Sequence, residues 1–379
     1  ASTLPTVVSM AAVHTGQLPL TTPEIGFSED QREEVVRRQK IAELLSDRGY
    51  STGALSPNPP ASSYFGYDEG FDWFKDYLDT DSESSYWNKI FEESIQGSKF
   101  ATYARLSRNL LLRNEILRPW TDFYSDIMEW VEQASEPFFL WILLLDTHHP
   151  WLPPRNTQKW SSPKDKYLAF RQYWKLFSKG WDTELSPHEH ERLVNLYDDS
   201  IRFADKFIGK ITNDLADDDP VFLIHSDHGE EFNENGRYGH QPRLSPELSH
   251  VPLIISNSDY TGRTTHPVGL KSIAPTIADL ADVRFPYNTQ SLLNYKSSKP
   301  WEVSKILRTD GAEISIRTSN KHYVSHQKDE CIFSLNDDDK SKKNDGEALE
   351  LFRHIKSRHK EDEKQRRLIR DTINNQNLG

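Results

Sequence analysis

Short apolar runs closed by polar clusters recur along this chain and alternate with stretches of helical periodicity. The longest is Pro137 to Leu145, PFFLWILLL, which ends at Asp146. It suits a central strand and falls well short of the roughly 20 residues that span a bilayer. Val221-Phe222-Leu223-Ile224 and Val251 to Ile255 are further strand candidates, rich in β-branched and aromatic residues. Before the first of these lies 187–213, where Leu193, Leu196, Ile201, Ala204, Phe207, Ile208 and Ile211 recur at helical spacing. Earlier, 29–48 predicts an amphipathic helix with Val35, Ile41, Leu44 and Leu45 inward and Gly49 as its cap, followed by a short strand from Tyr50 to Leu55. At the start, Thr6 is placed to N-cap a helix over Val7 to Val13, which Gly16 and Pro19 end.

Residues 58–80 are rich in Pro, Gly and aromatics and predict a loop. The polar, Trp-rich stretch to about 135 predicts helices laid over a sheet, and 160–215 is largely helical. Ile273 to Leu280 predicts a further helix. The alternation of helix and strand predicts an α/β class with a mostly parallel central sheet. After about residue 290 short runs separated by turn residues predict a smaller antiparallel sheet, then an Asp/Lys-rich loop over 336–347 and a charged terminal helix. The expected organisation is therefore 1–290 as a main α/β domain and 291–379 as a small carboxyl-terminal subdomain.

Composition narrows the function. With 36% hydrophobic and 27% charged residues, the chain has the make-up of a folded domain rather than a disordered one. A net charge of −12, with no dense basic run in the first 290 residues, argues against nucleic acid as a partner. Cys331 is the one cysteine, so neither an intrachain disulfide nor a thiolate zinc site can form; it reads as a buried structural thiol. No transmembrane segment is expected, and no leader with a basic then apolar pattern opens the sequence, so a soluble, cytoplasmic protein is the expectation.

Candidate chemistry gathers just after the predicted strands, where open α/β sheets carry their ligand crevice. Asp227-His228-Gly229-Glu230 follows 221–225, and the same loop holds Glu234 and His240; His148 and His149 follow 138–145. Carboxylate oxygen together with imidazole nitrogen suits a hard or borderline divalent ion, Ca, Mg, Mn or Zn. His149, between His148 and Pro150, reads as a proton donor or a loop residue; His240 reads as a ligand, an anion contact or a loop brace. Ser9 and His14 read as packing or capping residues.

The ordered set of segments resembles the sulfatase branch of the alkaline phosphatase-like superfamily. STLPTVVSMAAVHTGQLP is similar to the nucleophile motif of that family, and IAELLSDRGYSTGALSPNPPASSYFGYDEGFDWF to its helix–strand–loop passage. LLLDTHHPWLPP resembles its His-x-Pro passage, VFLIHSDHGEEFNENGRYGHQP its metal loop, and LKSIAPTIADLADVRFP the passage that closes the main domain. The resemblance implies a three-layer fold and a metal-dependent hydrolase of sulfate or phosphate esters, acting on a small molecule or glycan. It implies Thr3 as nucleophile, His149 beside the leaving group, and Asp227, His228 and His240 as metal ligands. All five should converge on one crevice, with Arg243 and Lys271 the nearest basic groups for a phosphate.

Two departures qualify the implied chemistry. Thr3 cannot give the formylglycine that sulfatases make from Cys or Ser, and threonine nucleophiles belong to the phosphodiesterase and phosphatase relatives. The family also supplies metal-binding Asp residues from a strand preceding the nucleophile, for which this sequence has no counterpart. The alternatives are therefore a phosphodiesterase or phosphatase type with a Thr nucleophile, or a fragment or sulfatase-fold protein without activity.

Overall fold

The computed structural model describes residues 6–18, 38–77, 118–259, 265–294, 301–308, 311–326, 329–335 and 349–358, with isolated positions between them. The expected nucleophile Thr3, the start of the helix predicted over 29–48, the part of the predicted helical stretch up to residue 117 and the loop at 336–347 lie outside the described residues.

α1 (Thr6–Thr15) is made mostly of small and apolar residues, and every one of its residues, Thr6, Ser9, His14 and Thr15 included, is buried. A helix with no charged, solvent-facing stripe belongs inside a core. Gly16 follows at φ +67°, and a Cβ there would stand 2.6 Å from the Phe285 ring, so turn geometry and packing both require glycine. α2 (Ile41–Ser46) leads into β1 (Ser51–Leu55), which lies between β2 (Trp73–Lys75) and β3 (Phe138–Ile142) in a parallel sheet. β2 falls in a stretch predicted as loop; its three residues are too few to show a period.

α3 (Tyr124–Gln133), α4 (Pro163–Lys179) and α5 (Pro187–Asp214) follow the predicted helical stretches. A reciprocal cap starts α5: the Ser186 side chain accepts from the Glu189 N–H, and the Glu189 carboxylate accepts from the Ser186 N–H at 2.8 Å. Its buried stripe is Leu193, Leu196, Phe203, Phe207 and Ile211. Ile201, expected on that stripe, is instead 44% exposed. Two positions before it, the buried Asp199 carboxylate accepts from the backbone of Lys159 and Ser161, pinning the 159–161 loop.

β4 (Phe222–His225) pairs with β7 (Leu253–Ser256) in an antiparallel register. β3 was expected as an inner strand, yet β1 takes the middle of its sheet, and among the described residues the other edges of β3 and β4 carry no ladder. The pairing order of a sheet is set by long-range contacts that an apolar run does not encode. Alternation along β3 serves two faces: Phe139, Trp141 and Leu143 pack with α1, while Leu140, Ile142 and Leu144 pack with Phe123, Ile127, Phe203 and Phe207 of the α3–α5 side. α7 (Ile273–Leu280) joins α2 on the α1 face. Helices thus cover both faces, giving three layers.

β8 (Glu302–Arg308), β9 (Gly311–Arg317), β10 (Lys321–His326) and β11 (Asp329–Ser334) form the expected antiparallel sheet, with helical turns over 349–358 packed on it through Phe352 and Ile355. The sheet is tied to the rest of the chain by Lys271 to Glu302, by the Leu244 N–H to Glu313, and by Ile306 against Leu244 and Leu248. Cys331, on β11, is half-buried rather than sealed in the core. Among the described residues, no helix is long and apolar enough to cross a membrane.

His14 is buried edge-on to Tyr67 and Trp141, and neither ring nitrogen has a hydrogen-bond partner. Burial, then the Lys40 and His225 charges, lower its pKa to about 3. The unfolded chain therefore takes up this proton first as pH falls. The stability tied to a neutral His14 is complete above about pH 6.5 and is lost between about 6.5 and 3. His14→Phe should flatten the dependence of unfolding free energy on pH by up to about 1.4 kcal/mol per pH unit in that window. Urea melts at several pH values measure it; an unchanged slope contradicts the assignment.

Candidate active site

The site is built at the carboxyl ends of β3 and β4, where their loops face the first turn of α1. β4 runs into Ser226-Asp227-His228-Gly229, and the Ser226 hydroxyl donates to the His228 carbonyl at 2.7 Å to hold the turn. α1 closes over the loop: the Ser9 hydroxyl donates to the Asp227 carbonyl at 2.8 Å, and Thr6 Oγ1 lies 3.2 Å from His228 Nε2. Gly229 is needed because a later element, α6 (Pro246–Ser249), crosses directly over it. A Cβ on Gly229 would stand 2.0 Å from the Glu247 carbonyl oxygen, and the Gly229 N–H donates to the Leu248 carbonyl at 2.9 Å.

β5 (Glu231–Phe232) and β6 (Tyr238–Gly239) form a short hairpin that returns His240 to the pocket. There His240 Nδ1 donates to Glu230 Oε2 at 3.0 Å. From β3, the turn at Leu145 to His148 brings in the two adjacent histidines. The rings of His148 and His149 stack at 4.3 Å between centroids and lie 5.0 and 4.8 Å from His240, which is 4.5 Å from His228. Tyr173 and Trp181 wall the His149 side.

Hydrogen bonding fixes the tautomers. Nδ1 of His148 points at the His149 carbonyl, Nδ1 of His228 at the Gly229 carbonyl, and Nδ1 of His240 at the Glu230 carboxylate. A neutral imidazole that donates from Nδ1 keeps a lone pair on Nε2. Burial, then the neighbouring His240, lower the pKa of His148 to about 4; burial lowers His240 to about 4 against the pull of Asp227. Burial and then His148 hold His149 well below the ordinary range. All three rings are therefore neutral near pH 7. Burial works to raise the Asp227 pKa, but His228, the Thr6 hydroxyl and His240 together hold it below the usual carboxylate value. Burial raises Glu230 to about 7.

Neutral imidazoles with lone pairs turned inward, beside an ionised carboxylate, are a donor set for a divalent cation. One donor atom each from His148, His149 and His240 fall within 4.8 Å of one another. His149 Nδ1 and Glu230 Oε1 are buried without a hydrogen-bond partner, 3.9 Å apart, a cost that a cation or substrate would relieve. The residues present fit a metal ion.

Of the expected site residues, His149, Asp227, His228 and His240 come together, while Thr3 lies outside the described residues. Three further residues take part in the pocket. His148 stands at the His-x-Pro spacing beside His149. Thr6, expected as a cap, is the first helical residue, with its hydroxyl on His228. Glu230, whose place in the loop implies no partner, accepts from His240. Arg243 and Lys271 are engaged elsewhere: Arg243 pairs with the fully buried Glu231, and Lys271 with Glu302. A buried carboxylate requires a nearby counter-charge, which takes Arg243 from the pocket.

A helix-covered α/β sheet with this pocket at its strand ends is the architecture of the alkaline phosphatase-like proteins. The chain belongs to the sulfatase family, whose model, described as Sulfatase, matches residues 1–283. Among curated proteins it is 26% identical over 181 residues to the uncharacterized sulfatase YidJ of Escherichia coli K12, covering 42% of this chain and 35% of that one. It is 34% identical over 128 residues to the phosphatidylethanolamine transferase Mcr-2 of Escherichia coli, covering 30% and 24%. The matched regions thus span about a third or less of these curated relatives. Among solved structures, the phosphonate monoester hydrolase of Agrobacterium radiobacter superposes with a TM-score of 0.64 at 14% identity, covering 94% of this chain and 86% of that one. The BT4656 complex with D-glucosamine-2-N,6-O-disulfate gives 0.62 at 15%, covering 96% and 89%. At these identities the two structures establish the fold alone.

Arg243→Ala would leave the buried Glu231 carboxyl with the Asn235 amide but without its basic partner, and should lower the unfolding free energy by about 3–5 kcal/mol. Guanidinium melts check this; a loss under about 1 kcal/mol would mean the pair is a solvated surface contact.

Proposed function

We propose that this chain is a divalent-metal-dependent hydrolase of sulfate or phosphate esters. The observation that carries the reading is the buried pocket in which Asp227, His228, His148, His149 and His240 meet from three separate loops. Asp227, His228 and His240 are the proposed ligands, with His148 adding a fourth lone pair. A bound divalent ion supplies positive charge that polarises the ester and lowers the pKa of a hydroxyl held near it. Glu230 orients His240 and fixes its tautomer, while Thr6 and Ser9 hold the Asp227-His228 turn against α1. His149 is proposed to stand beside the leaving oxygen, with Tyr173 and Trp181 limiting water on that side. Thr3 is the proposed nucleophile. Residues 1–290 form the proposed catalytic unit and 291–379 its supporting subdomain.

Charge favours a singly charged ester. Among the described residues, neither the pocket nor the cavity beside it is lined by Lys or Arg, so nothing from the protein offsets the second charge of a phosphate monoester. Sulfate monoesters and phosphate diesters each carry one. The threonine at the nucleophile position favours the diester, because the formylglycine route is closed to it. Several curated relatives are named as phosphoethanolamine or phosphatidylethanolamine transferases, which agrees with chemistry at a phosphate diester.

The test is turnover of p-nitrophenyl sulfate, p-nitrophenyl phosphate and methyl p-nitrophenyl phosphate with Ca, Mg, Mn and Zn. Turnover should require added metal, be greatest with the methyl diester, and fall at least about a hundredfold in Asp227→Ala. Glu230→Gln should weaken metal affinity by about 10–100-fold, read directly by calorimetry. Absence of both turnover and metal binding would support a sulfatase-fold protein without activity.

A further inference from the structure

We infer that Asn58 is a substrate contact of the ester pocket, where its side-chain N–H groups donate to a non-bridging oxygen of a singly charged ester. The inference rests on the ester-hydrolase reading and adds the residue that meets the ester's oxygens.

Topology brings Asn58 to the pocket. β1 and β3 run parallel, and their pairing continues past the end of β3, with the Leu143 N–H donating to the Leu55 carbonyl at 2.9 Å. The segments that follow, 56–58 and 143–148, therefore leave the sheet at the same end. Asn58, Thr147 and His148 all line the pocket that contains Asp227 and His228. Local chemistry then fixes the residue in place. Pro59 restrains Asn58 to extended backbone, φ −104° and ψ 112°, and the Asn58 carbonyl accepts from the Ala61 N–H at 2.8 Å.

An asparagine ahead of the turn Pro59–Ala61 would ordinarily be explained as its cap. That role is closed to the side chain. Pro59 and Pro60 have no N–H to offer, and the Ala61 N–H already goes to the main-chain carbonyl of Asn58. Asn58 is only 9% exposed, and among the described residues its side-chain amide has no hydrogen-bond partner. A nearly buried amide left without a partner carries a cost that a ligand's hydrogen bonds offset. Two hydroxyls of the same wall are engaged already: Thr6 lies on the His228 ring, and Ser226 donates to the His228 carbonyl.

The chemistry of the amide decides what it takes. A carboxamide offers two N–H donors and no charge. The other polar groups of the pocket include the Asp227 and Glu230 carboxyls, which have no hydrogen to give an ester oxygen when ionised. A sulfate monoester or phosphate diester, with one negative charge, can be held by a neutral donor beside a bound cation. A phosphate monoester brings a second charge, for which Asn58 supplies no counter-charge.

The test is calorimetric titration of the full chain with dimethyl phosphate, a singly charged and unreactive diester, at saturating Ca, Mg, Mn or Zn. Asn58→Ala and the isosteric Asn58→Asp, both checked for native circular dichroism, should each weaken its binding at least about tenfold. Affinity for the metal alone should stay within about twofold in Asn58→Ala, because the amide is a donor to the ester and not a ligand. In kinetics, kcat/KM for methyl p-nitrophenyl phosphate should fall about 100- to 1,000-fold in Asn58→Ala. Undiminished dimethyl phosphate binding in either variant, or no binding by the unsubstituted chain, would overturn the inference. A parallel loss of metal affinity would also overturn it, by making Asn58 a ligand. Failure of every ester to react would count against the hydrolase reading, and the dimethyl phosphate comparison would still decide the role of Asn58.

Discussion

Bringing several imidazoles and two carboxylates into contact, largely out of water, costs free energy that hydrogen bonds, opposite charge or a bound cation must offset. The chain meets part of that cost internally. Three histidines donate from Nδ1 to a carbonyl or carboxylate, Asp227 lies against His228 and the Thr6 hydroxyl, and Glu230 accepts from His240. The part left over falls on His149 Nδ1 and Glu230 Oε1, which are buried without a hydrogen-bond partner.

The rest of the fold can be understood as support for that arrangement. α1 is walled in on every side, and the hydroxyls of Thr6 and Ser9 join its first turn to the Asp227-His228 loop. The loop cannot move away, because the α6 backbone crosses Gly229 with no room for a side chain. α6 is in turn flanked by the carboxyl-terminal sheet, through Ile306 against Leu244 and Leu248 and the Glu313 carboxylate on the Leu244 N–H. A sheet distant in sequence thus packs behind the Asp227-His228 loop.

Charge placement separates two tasks. Glu231 and Glu230 are adjacent, yet Glu231 is neutralised by Arg243 as a structural pair while Glu230 faces the pocket and the cavity beside it. Because consecutive residues of an extended segment point to opposite sides, one carboxylate can anchor the hairpin while its neighbour accepts from His240.

Much of this was determined by local sequence. The apolar runs at 138–142, 222–225 and 253–256, the helix over 273–280, and the loop positions of His149, Asp227, His228 and His240 follow from periodicity and from where polar clusters interrupt it. Alternation is a property of neighbouring residues, so a chain displays it before it folds. Tertiary structure decided what depends on residues far apart: that β1 takes the middle of its sheet, that Ile201 turns outward, that Arg243 goes to Glu231, and that Thr6, His148 and Glu230 belong to the site. Sequence marks which side chains can do chemistry. Only the packing of β3, β4, the β5–β6 hairpin and α1 decides which of them meet, because their separation along the chain, as with Thr6 and His228 at 222 residues, carries no information about their distance in space.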